Sequence, residues 1–529
     1  MSRGKRAVLL AFVVVLACFA GPSAVAETIV EAWSGPGPTL SVSVNSADGS
    51  CWVGGGKRVV HLSADGVELW RSAVDAFYGV RAVSVNSADG SCWVGDGVHV
   101  AHLSADGVEL WRSAGGVYQP TSVSVNPTDG SCWVADPGAA EYTNSQVVHL
   151  SATGSVLWRS VQSGPNGKDP LPQFFLPTSV SVNPTDGSCW VADMYHNQVV
   201  HLSEAGVELW RSASFAFIKP QNVSVNSADG SCWVGGYADV AHLSADGVEL
   251  WRSTGDPFNL RAVSVNSADG SCWVGGFAGN GDHVAHLSAD GAYLGEEFVT
   301  RYLTSLSVNP TDGSCWVGDN GRELVVRLVI VYFSDVTLDN WAFAEVTACY
   351  HAGIVNGYAD GTYQPSNAVT RDQMAVYISR ALAGGDDGVP EFIGTPSFPD
   401  VDADHWALDY VEYAVESNVV AGYDDGYYHP EYQVTRDQMA VYVARAMVAP
   451  TGEAALADYT PADPRNFPDV PDMGYGDDGT DPFWAYTHIE YCVENGVVQG
   501  YDDGYYHPEV GVTRDQMAVY IQRAFQLPM

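Results

Sequence analysis

Short runs of alternating apolar and polar residues, broken at regular intervals by Asp-Gly pairs, fill the chain up to about residue 332. One stretch reads Arg-Ala-Val-Ser-Val-Asn (81–86), Ser-Cys-Trp-Val (91–94), His-Val-Ala-His-Leu-Ser (99–104) and Val-Glu-Leu-Trp-Arg-Ser (108–113). Each run has the period of two and the β-branched or aromatic content of a strand. The Asp-Gly pairs supply the positive φ of tight hairpins, so the stretch predicts a four-stranded antiparallel meander. The order recurs seven times, marked by Asp-Gly-Ser-Cys-Trp-Val at Cys51, Cys92, Cys132, Cys189, Cys232, Cys272 and Cys315. The spacing is 40 to 43 residues, except for 57 between Cys132 and Cys189. A self-similar period near 40 built from strands predicts propeller blades. Seven sheets around an axis bury faces that one sheet cannot.

The seventh repeat is one strand short. After Leu306 to Asn309, Ser314 to Val317 and Leu324 to Leu328, no Val-Glu-Leu-Trp follows. Val30-Glu31-Ala32-Trp33-Ser34 copies Val67 to Ser72 at the other end of the repeats. This predicts that the N-terminal strand is the outer strand of the last blade and closes the ring.

From Phe333 the pattern changes. Three units open with Phe333-Ser334-Asp335-Val336, Phe398-Pro399-Asp400-Val401 and Phe467-Pro468-Asp469-Val470. Each continues through a tryptophan (Trp341, Trp406, Trp484), an amphipathic helix, a Gly-Tyr turn and a second helix beginning Val-Thr-Arg-Asp-Gln-Met-Ala-Val-Tyr. Thr370 with Gln373, Thr435 with Gln438 and Thr513 with Gln516 have capping-box spacing. Asp372, Asp437 and Asp515 suit a helix N-terminus, whereas Arg371, Arg436 and Arg514 oppose its dipole. That opposition, three times over, points to another purpose for the arginines. Gly384 to Pro396 and Val448 to Asn466 read as linkers.

Composition narrows the function. Sixty-three acidic against 24 basic residues give a net charge of -39, which argues against nucleic acid as a partner. Acids spread over turns keep a surface solvated, and no Asp-x-Asp-x-Asp-Gly calcium loop is present. Residues 1–26 have the basic start, apolar run and small-residue end of a signal peptide, predicting export, and no later segment is apolar enough for a transmembrane helix. The repeated cysteines read as small buried hydrophobes; Cys349 and Cys492 sit at one register of their units, suggesting first helices packed about a threefold axis, with free thiols or a disulfide both open. The innermost strand carries no histidine or carboxylate, and the repeated histidine of the third strand (His61, His102, His149, His201, His242, His286) reads as a structural hydrogen-bonding group. His99, His196 and His283 lie in non-adjacent blades, so neither a metal nor a cofactor is expected.

The segment Pro177 to Val200, with Cys189-Trp190-Val191-Ala192-Asp193 and Asn197-Gln198-Val199-Val200, resembles the repeat of NHL-type propellers. That resemblance covers residues 28–332 and implies the fold; the family holds lyases and lactonases as well as binding platforms. The three later units resemble S-layer homology modules. The expected organisation is multidomain: a signal peptide (1–26), an all-β seven-bladed propeller (27–332), and an α-helical region of three S-layer homology modules (333–383, 397–448, 466–526). The resemblance implies a bacterial cell-surface protein, secreted and bound to the cell wall through an anionic wall polysaccharide or peptidoglycan-linked polymer. Glycan contacts are expected at Arg371, Arg436, Arg514, Trp341, Trp406, Trp484, Tyr358, Tyr423 and Tyr501; the family's Thr-Arg-Ala-Glu motif reads Thr-Arg-Asp-Gln here. The near-identical Asn-Ser-Ala-Asp-Gly and Leu-Ser-Ala-Asp-Gly turns share one propeller face and variable loops the other, where Arg81, Arg261, Phe77, Tyr78, Phe174 and Phe175 form a candidate binding face. With no catalytic constellation visible, a binding platform is expected rather than an enzyme; a displayed lyase or lactonase, or a self-assembling surface-layer protein, are the alternatives.

Overall fold

The computed structural model describes residues 28–36, 40–138, 144–160, 173–237, 239–253, 259–278, 281–300, 302–321, 323–462, 464, 467–472 and 482–527. The expected signal peptide lies outside these residues. The chain divides into two compact units between Ile330 and Val331.

The first unit holds seven four-stranded sheets. Six are consecutive meanders. The second, for example, runs through Ala82–Val85, Cys92–Gly95, Val100–Leu103 and Glu109–Arg112, with Val85 opposite Cys92 and Trp93 opposite His102. The seventh sheet has the order Thr28–Pro36, Leu324–Val331, Cys315–Asp319, Leu303–Val308. The N-terminal strand therefore closes the ring as its sequence predicts.

Three contacts recur between or within blades, and each explains one letter of the repeat. In Val-Ser-Val-Asn the valines enter the core, while the serine hydroxyls accept backbone N–H groups of the next innermost strand. Ser41 accepts from Val83 at 3.0 Å and Ser43 from Val85 at 3.0 Å; across the closure Ser305 accepts from Val42 at 3.1 Å and Ser307 from Val44 at 2.9 Å. An inner sheet edge left without acceptors would bury orphan donors. In the second strand, each tryptophan is fully buried and the first six stack on the histidine opposite: Trp52 on His61 at 4.4 Å and 11°, Trp133 on His149 at 4.2 Å and 5°. His61 Nε2 lies 3.0 Å from Ser50 Oγ, and His149 Nδ1 and His242 Nδ1 each lie 3.1 Å from a turn carbonyl of the following blade. The histidine is the structural link expected of it. Arg327 takes its place opposite Trp316, donating to Ser314 Oγ and Asp312 Oδ2. In the outer strand, Trp111 lies flat on Gly154 of the next blade, where a Cβ would stand 2.0 Å from the ring and φ is +80°. Only glycine satisfies both conditions.

All seven repeated cysteines are buried and free, and burial pushes their thiols well up. They fill space as small apolar groups.

Burial holds His61, His102, His149, His201 and His242 below the usual imidazole value. Unfolded, the same rings protonate near pH ~6.5. The unfolded chain then binds more protons than the folded one as pH falls, so stability that is complete above that pH is lost below it. Calorimetry of the full chain should show the propeller transition moving to lower temperature between pH 7.5 and 5; an unchanged transition would contradict this.

Candidate functional site

On the propeller, the variable loops are pinned by aspartates at the end of the second strand or nearby. Asp96, Asp136, Asp193 and Asp282 are buried. Asp136 accepts from the N–H groups of Tyr118 and Gln119 at 2.9 Å each, Asp193 from Phe175 at 2.8 Å, and Asp282 from Leu303 at 2.5 Å. Asp136 and Asp193 were readable as the Asp that ends Trp-Val-Ala-Asp and Asp96 as the Asp of Trp-Val-Gly-Asp, but sequence reasoning passed over them.

The predicted face divides. Tyr78 is exposed at 74% and Arg81 is exposed; Phe175 is half-buried, its ring 5.1 Å from Tyr195. Arg261 pairs with the buried Asp282 at 2.9 Å. Phe77 and Phe174 do not belong to the face. They are 4% and 0% exposed, packed against Trp52 and Trp133 between blades, with Arg112 and Arg211 lying over the rings. Burying such a ring contributes about 2 kcal/mol, which outweighs leaving it in a loop. Phe258, a further aromatic residue of the variable loops in the sequence, lies outside the described residues. Among the described residues no group of three or more His, Cys, Asp or Glu is placed to hold a metal.

The helical unit has α1 (Phe343–His351), α2 (Arg371–Ala383), α3 (Leu408–Glu416), α4 (Arg436–Met447), α5 (Glu453–Leu456), α6 (Tyr486–Glu494) and α7 (Arg514–Phe525). The three capping boxes form as predicted. Just before these helices, Val369 N donates to Val512 O, Val512 N to Val434 O and Val434 N to Val369 O, each at 2.9 Å. This closed triangle gives the modules pseudo-threefold symmetry. The second helices α2, α4 and α7 meet one another, whereas α1 packs on α7, α3 on α2 and α6 on α4. The first helices are thus outside the centre, contrary to the expectation from Cys349 and Cys492. The two cysteines are free: Cys349 Sγ faces Ala518 O at 3.4 Å and Cys492 Sγ faces Ala440 O at 3.5 Å, on different helices. Burial pushes both thiols up to about 12.

Each motif arginine reaches into the next module. Arg371 donates from Nε to Tyr428 O at 2.8 Å, from Nη2 to Ala421 O at 3.1 Å, and from Nη1 to the Tyr442 hydroxyl. Arg436 donates to Tyr506 O at 2.9 Å, Gln499 O at 2.9 Å and Tyr520 OH at 2.6 Å. Arg514 closes the cycle onto the first module through Tyr363 O at 2.8 Å. The guanidinium planes lie over tyrosine rings: Arg371 over Tyr423 at 4.7 Å and Tyr428 at 4.5 Å, Arg436 over Tyr501 at 4.8 Å and Tyr506 at 4.4 Å, Arg514 over Tyr358 at 5.0 Å and Tyr363 at 4.5 Å. With exposures of 3%, 3% and 7%, they are inter-module locks. The lock outweighs the unfavourable helix dipole, which at such a site is worth about 1 kcal/mol.

Beside each lock the tryptophan stays exposed, at 60% for Trp341, 61% for Trp406 and 53% for Trp484. Its indole N–H is fixed by the aspartate of another module: Trp341 by Asp515 at 2.9 Å, Trp406 by Asp372 at 3.1 Å, Trp484 by Asp437 at 3.0 Å. Two grooves result. One, of about 180 Å³, takes Arg371 from the first module, Tyr423, Gln438 and Tyr442 from the second, and Trp484 from the third. The other, of about 150 Å³, takes Arg436 from the second, Tyr501, Gln516 and Tyr520 from the third, and Trp341 from the first. No module builds a groove alone.

The same three units are picked out by family comparison, at residues 332–375, 397–440 and 477–518, each matching the S-layer homology domain. The chain carries three S-layer homology domains. Relatives match through this region alone. An endoglucanase of Bacillus sp. (strain KSM-635) is 28% identical over 189 residues, covering 36% of this chain and 18% of that protein. Cell surface glycoprotein 1 of Acetivibrio thermocellus is 27% identical over 178 residues, covering 33% of this chain and 7% of that protein. The cellulosome-anchoring protein of the same organism is 25% identical over 185 residues, covering 33% of this chain and 36% of that protein. The chain thus spans well under half the length of these relatives. Within its S-layer homology domains, the sequence prediction had the arginines, tyrosines and tryptophans together, but as surface groups. The structure separates a buried arginine lock from an exposed tryptophan.

Proposed function

We propose that this protein is held non-covalently at the cell surface by its S-layer homology domains, whose inter-domain grooves take an anionic wall polysaccharide or peptidoglycan-linked polymer, and that the propeller serves as a rigid interaction platform. The observation that carries the reading is the groove itself: an exposed, aspartate-fixed tryptophan beside a guanidinium held between tyrosines. Aromatic rings offer a flat apolar surface to sugar rings, and guanidinium N–H groups suit carboxylate or phosphate. Relatives sharing this region include proteins named as cellulosome-anchoring and surface-layer proteins. No helix among the described residues is long and apolar enough to cross a membrane. For the propeller, exposed Tyr78, Phe215, Tyr237 and Tyr302 on loops of one rigid frame support binding of a protein or glycan, and its ligand is open to array screening.

The test is co-sedimentation of the full chain with purified wall sacculi. Trp341→Ala, Trp406→Ala and Trp484→Ala together should abolish pelleting, each removing about 1 kcal/mol or more of affinity as a contact hot spot, without shifting thermal unfolding by more than a few degrees. Undiminished pelleting of the folded triple variant would refute the groove reading.

A further inference from the structure

The grooves differ in charge, and the difference comes from a second arginine. Arg380, Arg445 and Arg523 occupy one register of α2, α4 and α7. Each donates from Nη1 to an equivalent carbonyl, that of Ile354 at 3.3 Å, Val419 at 3.5 Å and Val497 at 3.4 Å. Their other donors part ways. Arg380 Nε pairs with Asp386 Oδ1 at 2.7 Å, and its Nη2 donates to Tyr410 OH at 3.2 Å. Arg445 Nε pairs with Glu453 Oε2 at 2.7 Å, a carboxylate that His488 also faces at 3.0 Å. Both acids come from the segment just after the helix, Asp386 in a short 3-10 turn and Glu453 at the start of α5. Arg523 has no carboxylate within ion-pair distance among the described residues. It is half-buried and lines the groove that holds Arg436 and Trp341.

The geometry points to Arg523 as the charge-reading residue of the wall anchor: its groove is the preferred seat for the negatively charged unit of the glycan, a carboxylate or phosphate on a sugar. Glu453 acts as a built-in competitor that occupies Arg445 in the other groove, while Arg380, paired with Asp386, lines neither groove. A guanidinium edge already bonded to a carboxylate must lose that bond before it binds another anion, whereas the free edge of Arg523 offers two parallel donors at once. Arg436 adds a second cation to the same groove, and its own bonds are to carbonyls and a hydroxyl, which leave its charge uncancelled. Two cations lining one small groove attract an anion more than one does, since partly buried charges are weakly screened. Arg445 in the other groove brings its own counter-ion. This inference rests on the grooves being the glycan sites.

The experiment is co-sedimentation of the full chain with wall sacculi at 50 and 300 mM NaCl, comparing the parent with Arg523→Gln, Arg380→Gln, Arg445→Gln, Asp386→Asn and Glu453→Gln. Arg523→Gln should weaken binding about tenfold at low salt, the size of one charge-assisted pair, and flatten the salt dependence. Arg380→Gln and Arg445→Gln should change it less than twofold. Glu453→Gln should strengthen binding at low salt by freeing Arg445, which lines the other groove, an effect that loss of a structural contact would not produce. Asp386→Asn, which frees Arg380 away from both grooves, should leave binding unchanged. If the parent does not pellet, the groove reading falls and this inference with it. If the parent pellets and Arg523→Gln matches it, or the two glutamine controls weaken as much, only the inference falls. Repeating the low-salt assay with soluble inorganic phosphate or glucuronate as competitor separates the sources. Selective loss of Arg523-dependent pelleting to phosphate assigns the group to phosphate, and selective loss to glucuronate assigns it to carboxylate; loss to neither overturns the assignment.

Discussion

Arg436→Ala is expected to destabilise the helical unit by about 3 kcal/mol, the scale of removing one partner from a buried charged network. The substitution deletes three donated hydrogen bonds and two ring contacts. It also leaves the carbonyls of Tyr506 and Gln499 without their donor and opens a cavity between the second and third S-layer homology domains. The link runs both ways, since Tyr506 OH donates to Arg436 O at 3.1 Å. Lysine should rescue little, because an ammonium cannot supply three divergent donors from a plane stacked between rings. Urea unfolding followed by far-UV circular dichroism measures the loss, and a midpoint equal to the parent's would count against the lock. This outcome would set these arginines apart from the surface glycan contacts that their sequence motif suggests. It also fixes how binding is tested: the exposed tryptophans report on the groove, whereas the motif arginines report on domain assembly first.

Deleting residues 28–36 should lower the propeller's melting temperature by roughly 10 °C or more, since several kcal/mol over a unit of this size shifts the midpoint that far. The strand Thr28–Pro36 is the outer strand of the seventh sheet. Without it the N–H and C=O groups of Leu324–Val331, six of whose eight residues are buried, face solvent as an open edge. The first and last repeats also meet through Ser305 and Ser307, so the loosened seventh blade weakens the first. Calorimetry together with size-exclusion chromatography reads the result. An unchanged transition would mean that the inner-strand serines suffice to close the ring.

The seven sheets were legible because each hairpin depends on neighbours close in sequence, and the closing strand, which pairs with the far end of the unit, was legible because Val30 to Ser34 repeats the outer-strand motif that the seventh repeat lacks. A hairpin needs only its turn and two flanking runs, and the Trp-His stack joins strands paired in register, such as Trp93 with His102. The capping boxes at Thr370, Thr435 and Thr513 lie within three residues and formed as read. Repetition amplified the signal, since a pattern that recurs seven times is constrained each time by the same local physics. The aromatic loop residues were less legible. Tyr78 and Phe77 are adjacent, yet one is exposed at 74% and the other at 4%. Which one turns inward is set by the gap between two blades, a shape that neither blade's sequence contains.

By itself, then, the sequence determined the blade count, the strand order and the three helical units, products of hydrophobic period and turn chemistry acting over a few residues, and the N-terminal closure, read from a repeat one strand short and its copy at the other end. Tertiary structure decided what the chemically active side chains face. The arginine locks join residues 57, 70 and 151 positions apart, so their burial exists only once three domains close into a cycle around Val369, Val434 and Val512. The free edge of Arg523 was likewise invisible in a motif that reads almost alike three times. Arg380 and Arg445 meet Asp386 and Glu453 because the chain after α2 and α4 folds back over the helix end. Charge compensation of this kind depends on distances of about 3 Å between segments, which local sequence patterns do not encode.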